Sequence, residues 1–190
     1  MAAGNGFLTV SPDTRYGATQ GNMPPGYAVA GMFQVPGTGE KNISEIGIYG
    51  GNITSNYNSK LHLAIFEDDS GGGHPSIIVA NSDSGEISAG NTQAKLSASY
   101  SSTKPKVNGG TNYWLAFIVG EYNFAPSRSE DGTGTAIYVT GLTYPTWPAN
   151  ATAWHTHTDQ THAYSLYAVY EDTASGLSIP VVQGIYRRRR

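Results

Sequence analysis

The stretch that most constrains this chain is Asn112-Tyr113-Trp114-Leu115-Ala116-Phe117-Ile118-Val119-Gly120, its longest nearly unbroken apolar run. A glycine-rich turn, Asn108-Gly109-Gly110, precedes it and Gly120 closes it. A run this short between turn signals does not suit a buried helix, and its aromatic and β-branched content suits a strand. Side chains alternate across a strand, so Tyr113, Leu115, Phe117 and Val119 share one face and Trp114, Ala116 and Ile118 the other. Both faces are apolar. The pattern therefore predicts a central strand with a covering layer on each side.

Composition carries the same message to the rest of the chain. Apolar residues make up 38% and charged residues 13%, and thirteen Tyr stand against five Phe beside 24 Gly. Together with abundant Ser, Thr and Asn, this is the balance of a β protein rich in turns. No stretch sustains a 3.6-residue apolar period, so the fold class is all-β. A length of 190 residues suits one domain with a substantial core. The absence of cysteine excludes a disulfide framework and thiolate metal sites. Residues Met1 to Phe7 contain neither a basic n-region nor an apolar h-region, so no secretory leader is expected. No apolar run approaches the ~20 residues of a membrane-spanning helix. Either the chain is the mature form of a secreted protein, or it is made in a cytoplasm and released by another route, as virion proteins are. The net charge is −3, and Arg187 to Arg190 supply four of the positive charges, which leaves the remainder at −7. An acidic body argues against tracking a phosphate backbone, and four arginines neutralise only ~4 phosphates. Nucleic acid is not an expected partner.

Turn signals divide the chain into an N-terminal arm (1–26), a body (27–176) and a C-terminal strand with an Arg-rich tail (177–190). Phe7-Leu8-Thr9-Val10 reads as a short strand in an arm that lies on the domain or on a neighbour. In 27–35, Tyr27, Val29, Phe33 and Val35 share a side. In 42–49, Ile46 and Ile48 lie opposite Ile43, Gly47 and Tyr49. In 60–66, Leu61, Leu63 and Ile65 alternate with His62, Ala64 and Phe66. Further strands are predicted at 77–80, 86–88, 94–100, 136–140, 163–170 and 181–186, with 120–134 and 144–160 irregular. Eight to ten strands without helices between them give a single two-sheet antiparallel β-sandwich of jelly-roll type with an extended N-terminal arm.

Candidate chemistry is sparse. In an extended Trp154-His155-Thr156-His157-Thr158-Asp159-Gln160-Thr161-His162, the side chains of His155, His157 and Asp159 project together and His162 returns from a turn. That set offers zinc ligands, and it reads equally as a polar loop. Glu67, Asp68 and Asp69, with Asn81 or Asp83 across a hairpin, offer oxygens to calcium, but without the spacing of a known calcium loop. No serine stands in a nucleophile elbow, so no catalytic residue and no resident cofactor is expected. Aromatics in polar settings, Tyr57, Tyr122, Phe124, Tyr144, Trp147 and Trp154, can stack on sugar rings, serve an interface, or cap the core. Of these, Tyr122, Tyr144, Trp147 and Trp154 form the candidate carbohydrate-binding set. Phe7, Leu8, Val10, Ile185 and Tyr186 are the candidate assembly contacts of the two termini. Sequons at Asn42, Asn52 and Asn150 are what chance gives in so Asn- and Thr-rich a chain.

One resemblance rests on Gln34-Val35-Pro36-Gly37-Thr38-Gly39, Ile46-Gly47-Ile48-Tyr49, Leu61-His62-Leu63-Ala64-Ile65-Phe66 and Gly110-Thr111-Asn112-Tyr113-Trp114-Leu115-Ala116. Pro145-Thr146-Trp147-Pro148, then Ala163 to Tyr170, and the Arg-rich end extend it. The order of these elements resembles jelly-roll and galactose-binding-like β-sandwich modules of tailed-phage and metagenomic virion proteins and of bacterial surface proteins. The resemblance implies a non-enzymatic virion structural protein, such as a capsid decoration, head-fibre or tail component. It implies other virion subunits as partners, a homo-oligomer, and alternatively a carbohydrate-binding module that attaches to glycans. No functional residue of the group maps onto this chain.

Overall fold

The computed structural model of the protein describes residues 5–15, 17–19, 21–52, 59–69, 73–129, 135–154 and 162–172. Its strands are β1 (Gly6–Leu8), β2 (Ala18–Thr19), β3 (Ala28–Gln34), β4 (Glu40–Asn52), β5 (Lys60–Asp68), β6 (Pro75–Ile78) and β7 (Ile87–Ser88). They continue with β8 (Ala94–Ser99), β9 (Lys106–Asn108), β10 (Asn112–Val119), β11 (Phe124–Ser129), β12 (Ala136–Val139), β13 (Ala163–Tyr164) and β14 (Leu166–Asp172). A 3₁₀ turn, Ala151–Ala153, is the one helical element among the described residues, none of which forms a helix long and apolar enough to cross a membrane. The all-β expectation holds.

Two sheets result. The eight-stranded sheet runs β1-β14-β4-β11-β13, with β8 and β9 also on β4 and β2 on β11. The six-stranded sheet runs β12-β3-β10-β5-β6, with β7 also on β5. The apolar run 112–120 supplies β10, and this strand is central. It pairs antiparallel with β3 from Asn112↔Gln34 to Ile118↔Ala28 and with β5 from Tyr113↔Glu67 to Val119↔Leu61. Every residue from Tyr113 to Val119 is buried.

The two faces of β10 meet two different covers. Leu115, Phe117 and Val119 join Ile46, Ile48 and Leu166 of the other sheet in the main core. There Phe117 packs edge-on against Phe124 at 5.9 Å and Tyr164 at 5.5 Å. Trp114, Ala116 and Ile118 enter a second core with Ala64, Phe66 and Trp154, to which Leu142, Tyr144 and Trp147 add. Phe66 lies edge-on to both Trp147 and Trp154, with each centroid 5.4 Å away. The Trp114 indole donates to Asp68 Oδ1 at 2.9 Å, so its polar tip is satisfied at the edge of this apolar layer. One cover is a sheet; the other is the irregular segment 142–154.

The structure corrects several expectations. Ile43 lies in the main core with Ile46 and Ile48, not opposite them. The ladder steps from Val169↔Glu45 to Tyr170↔Ile43, so Ser44 is an extra residue on β4, and such a bulge returns the next side chain to the same face. The stretch 120–134 is not wholly irregular, because 124–129 forms β11 between β4 and β13. Phe124 is therefore a fully buried core ring and not a loop aromatic. The sheets are antiparallel except at β1, which pairs parallel with β14 from Gly6↔Tyr167 to Leu8↔Val169.

That pairing ties the N-terminal segment to its own domain. Phe7 and Met23 are buried in the main core, and Ala18–Thr19 pairs with β11. Between them the chain crosses the outside of the eight-stranded sheet. Tyr49 donates to Pro12 O at 2.7 Å, Lys95 to Ser11 Oγ at 2.6 Å, and Ser11 and Tyr167 both donate to Glu45 Oε1. Tyr167 reaches Glu45 by lying flat over β4 at Gly47, where a Cβ would stand 2.3 Å from the ring.

Gly47→Ala is expected to cost about 2–3 kcal/mol of unfolding free energy, as overpacking against a fixed ring does. Gly90→Ala, with nothing within 4 Å of its would-be Cβ, is expected to stay within about 0.5 kcal/mol. Urea denaturation of both variants checks this, and equal costs would contradict the Tyr167 placement.

Candidate functional site

Strand alternation in β5 puts His62 on the face of Ala64 and Phe66, so the second core ends at an imidazole. His62 Nδ1 lies 2.8 Å from Asp83 Oδ1. The same oxygen accepts the Gly85 N–H at 2.8 Å, and Asp83 Oδ2 accepts the Trp147 indole N–H at 2.9 Å. One carboxylate thus fixes both the imidazole and the indole. Tyr144 stands edge-on to His62 at 5.4 Å, on a floor made by Gly120, where a Cβ would meet its ring at 2.8 Å. Lys60 pairs with Glu86 at 2.9 Å on the rim. Tyr122 is 57% exposed, and the Ser59 hydroxyl anchors its carbonyl at 2.9 Å.

The Tyr144 hydroxyl is shielded from solvent and meets no partner among the described residues. Burial, then the carboxylates of Glu86, Asp83 and Glu121, push its ionisation well above the ordinary phenol range. It remains a neutral donor without an acceptor among those residues. The arrangement offers an aromatic ledge of Tyr144 and Trp147 with the carboxylates of Asp83 and Glu86 beside it, while the Tyr144 hydroxyl itself is turned away from solvent. The cluster does not form a hydrolytic relay: the Ser84 hydroxyl beside Asp83 donates to Gly85 O and accepts from Leu63 N.

Of the four predicted sugar-stacking rings, Tyr144 and Trp147 come together here, and Tyr122 stands next to Glu121 at the same margin. Trp154 does not belong with them. It is 2% exposed and wedged against Phe66, so its ring cannot face a ligand. The sequence offers no signal that His62 and Asp83 are partners, because their contact crosses 21 positions.

Two grooves lie elsewhere. A cleft of about 430 Å³ opens at the seam of the two sheets, lined by Asn5, Gly6 and Phe7 on one side and Met32, Phe33, Gln34 and Pro36 on the other, with Asn112 at its end. A second, of about 400 Å³, shares Asn112 and is lined by Glu67, Asp68, Asn108, Thr111 and Tyr113. The suggested calcium oxygens are dispersed between other tasks. Asp68 accepts from Trp114, Asp69 Oδ1 accepts the His74 N–H at 3.2 Å, and Asp83 serves His62. Among the described residues no three His, Asp or Glu side chains gather as a metal set. Of the zinc candidates, His155, His157 and Asp159 lie outside the described residues. His162 is half-buried just before β13, with Nδ1 shielded and unpartnered among them. Of the assembly candidates, Phe7 is buried, Leu8 packs on Tyr49, Tyr167 and Val169, and Val10 is 74% exposed. Ile185 and Tyr186, with the strand expected at 181–186, and Tyr57 lie outside the described residues.

Comparison with protein-family models and with curated proteins finds no match for this chain.

Trp154→Ala is expected to lower unfolding free energy by about 3–5 kcal/mol, the cost of emptying a buried aromatic site. Chemical denaturation checks it; a loss under about 1 kcal/mol would mean that the ring is not a core residue. Burial also raises the ionisation of the Tyr100 and Tyr167 phenols, with Asp83 adding to the first and the Glu45 hydrogen bond to the second. Their folded values lie above the unfolded value of about 10, so this stabilisation is complete below about pH 10 and is lost as pH rises through the folded values. Ultraviolet titration of tyrosinate is expected to show Tyr100, Tyr144 and Tyr167 ionising only with alkaline unfolding. Early ionisation in Tyr→Phe difference spectra would contradict it.

Proposed function

We propose that this chain is a non-enzymatic virion structural protein of jelly-roll type, a capsid decoration, head-fibre or tail component that works by assembly and surface exposure. The observation that carries the reading is the seam groove, where the N-terminal strand and the end of β3 face each other across an apolar cleft at the edge of both sheets. An apolar cleft beside strand edges is the form of surface that takes a neighbour's extended segment. The resemblance to virion β-sandwich modules supports the same reading. Light scattering of the purified chain is expected to give a homo-oligomer, and proteomics of density-purified particles from its source is expected to find it with capsid or tail proteins. A monomer at every concentration, absent from particles, would overturn the proposal.

A second reading, a carbohydrate-binding module for host or polysaccharide attachment, is favoured by one observation. Tyr144, Trp147, His62 and Asp83 form a single aromatic and polar ledge. Glycan-array binding that disappears in Trp147→Ala and survives in Tyr49→Phe is the expected result. An array silent for the parent chain sinks this reading and leaves the first untouched.

A further inference from the structure

We infer that the seam groove is the seat of the apolar C-terminal segment Val181-Val182-Gln183-Gly184-Ile185-Tyr186 of a second copy of this chain, added as a strand to the edge of β3. The inference rests on the assembly reading and names its partner.

The edge comes first. Among the described residues β12 pairs with β3 from Ala28 to Gly31, and the last bond between them on that side runs from Met32 N to Thr135 O at 3.1 Å. Antiparallel strands direct alternate residues to alternate edges. Val35 N donates to Thr111 O, so the odd-numbered residues of β3 bond toward β10 and the even-numbered ones face β12. The backbone N–H and C=O of Gln34 therefore point past the end of β12, where no described strand pairs with them. β1, across the cleft, is the terminal strand of its own sheet. The groove thus lies beside strand edges on both sides.

The chemistry of the lining selects the occupant. Phe7, Phe33, Met32 and Pro36 form an apolar floor, and Asn5, Gln34 and Asn112 supply uncharged amides at the rim. A strand that fits must be apolar and neutral, with its own backbone to offer. Val181 to Tyr186 carries no charge, and in extended form its side chains alternate Val181, Gln183, Ile185 against Val182, Gly184, Tyr186. The segment runs directly into Arg187 to Arg190, and the groove adjoins, through Asn112, the cleft that carries Glu67 and Asp68. An apolar segment ending in four cations matches an apolar cleft ending at two carboxylates. The reach is sufficient. β14 ends at Asp172 opposite Lys41, whose ammonium lies 3.7 Å from the would-be Cβ of Gly37, next to Pro36. The eight residues 173–180 span at most about 29 Å when extended. β14 therefore ends near the groove's own rim, and a linker of that length can enter the groove of an adjacent copy packed at that end.

The chain has no cysteine, which makes cross-linking decisive. Gln34→Cys and Gln183→Cys are made in separate full-length chains, mixed and oxidised, with each variant oxidised alone as a control. The expected product is a disulfide-linked dimer that forms in the mixture and in neither control, and whose yield falls at high salt and in Glu67→Lys. If the mixture stays unlinked while a chain carrying both substitutions closes on itself, the segment docks in its own molecule and exchange is overturned. If neither links, docking is overturned altogether. Light scattering of a chain lacking 177–190 separates the two levels of the argument. Conversion of the oligomer to monomer supports the inference. An oligomer that persists unchanged overturns it and leaves the assembly reading standing, whereas a full-length chain that is monomeric throughout overturns both.

Discussion

The structure depends on one constraint: β10 has no face it can show to water. Trp114, Phe117 and Ile118 are all fully buried, though they divide between opposite sides of the strand. At roughly 25 cal/mol for each Å² of apolar surface removed from water, two such faces supply more stabilisation than any polar contact in the molecule. They also impose two covers. The eight-stranded sheet takes the Leu115 side, and the 142–154 segment, with no regular sheet of its own, takes the Trp114 side. That irregular cover is possible because aromatic rings do the filling. Trp147 and Trp154 clasp Phe66, and Tyr144 closes the end over His62. The polar cluster is a product of the same requirement. Where the second core reaches the end of β5, its indole and imidazole need polar partners, and Asp83 supplies both.

How much of this is legible in the sequence depends on the range of each interaction. Period-two alternation is local, so β3, β5, β10 and β14 can be read with their faces from the residues alone. Alternation puts Ile43 on the wrong face because a bulge is a property of a strand pair: the extra residue at Ser44 exists only relative to Val169 and Tyr170. β11 escapes a reading by pattern because Phe124-Ala125-Pro126-Ser127-Arg128-Ser129 has a proline and little apolar content. It is held by its neighbours β4, β13 and β2, not by its own propensity. Trp154 and Phe124 look like loop aromatics because their sequence neighbours are polar or small. Burial is decided by what lies above the ring, and Phe66 and Phe117 are distant in sequence. For the candidate site, residue types are readable for Tyr144 and Trp147, while His62 and Asp83 need the fold to meet.

The N-terminal segment shows how one close approach can organise a long strand. β4 is thirteen residues long and carries the main-core side chains Ile43, Ile46 and Ile48 on its inner face. Its outer face would be bare were Tyr167 not laid across Gly47, with its hydroxyl on Glu45. The phenol then becomes the base to which Ser11 and Leu8 attach, with Tyr49 and Lys95 on either side. A glycine on β4 thus connects the packing of the last described strand to the path of the first residues. The parallel β1–β14 pair lies at the end of that path, which is why a segment rich in Gly and Pro is ordered against its own domain.

Sheet edges give the final physical argument. An exposed strand edge invites pairing, and proteins blunt it with short strands, proline, lysine or bulges. Most edges here are treated in this way. β6 is four residues long, begins at Pro75, and meets β5 through a register irregularity at Asp68. β8 carries Lys95 outward, under the N-terminal crossing. β1 is three residues long. At the end of β3 the device comes two residues late: Pro36 lacks an N–H at the next outward-facing position, and among the described residues Gln34 alone stands between it and the end of β12 with its backbone on that side. Gln34 offers its backbone between the apolar walls of Phe7 and Phe33, with no described charge, proline or bulge at that residue to turn a strand away. Where β1, β6 and β8 are blunted along their length, this short stretch of edge in an apolar cleft is where the proposed strand would add. The charge balance of the chain, an acidic body and a cationic end, favours the same chain as its donor.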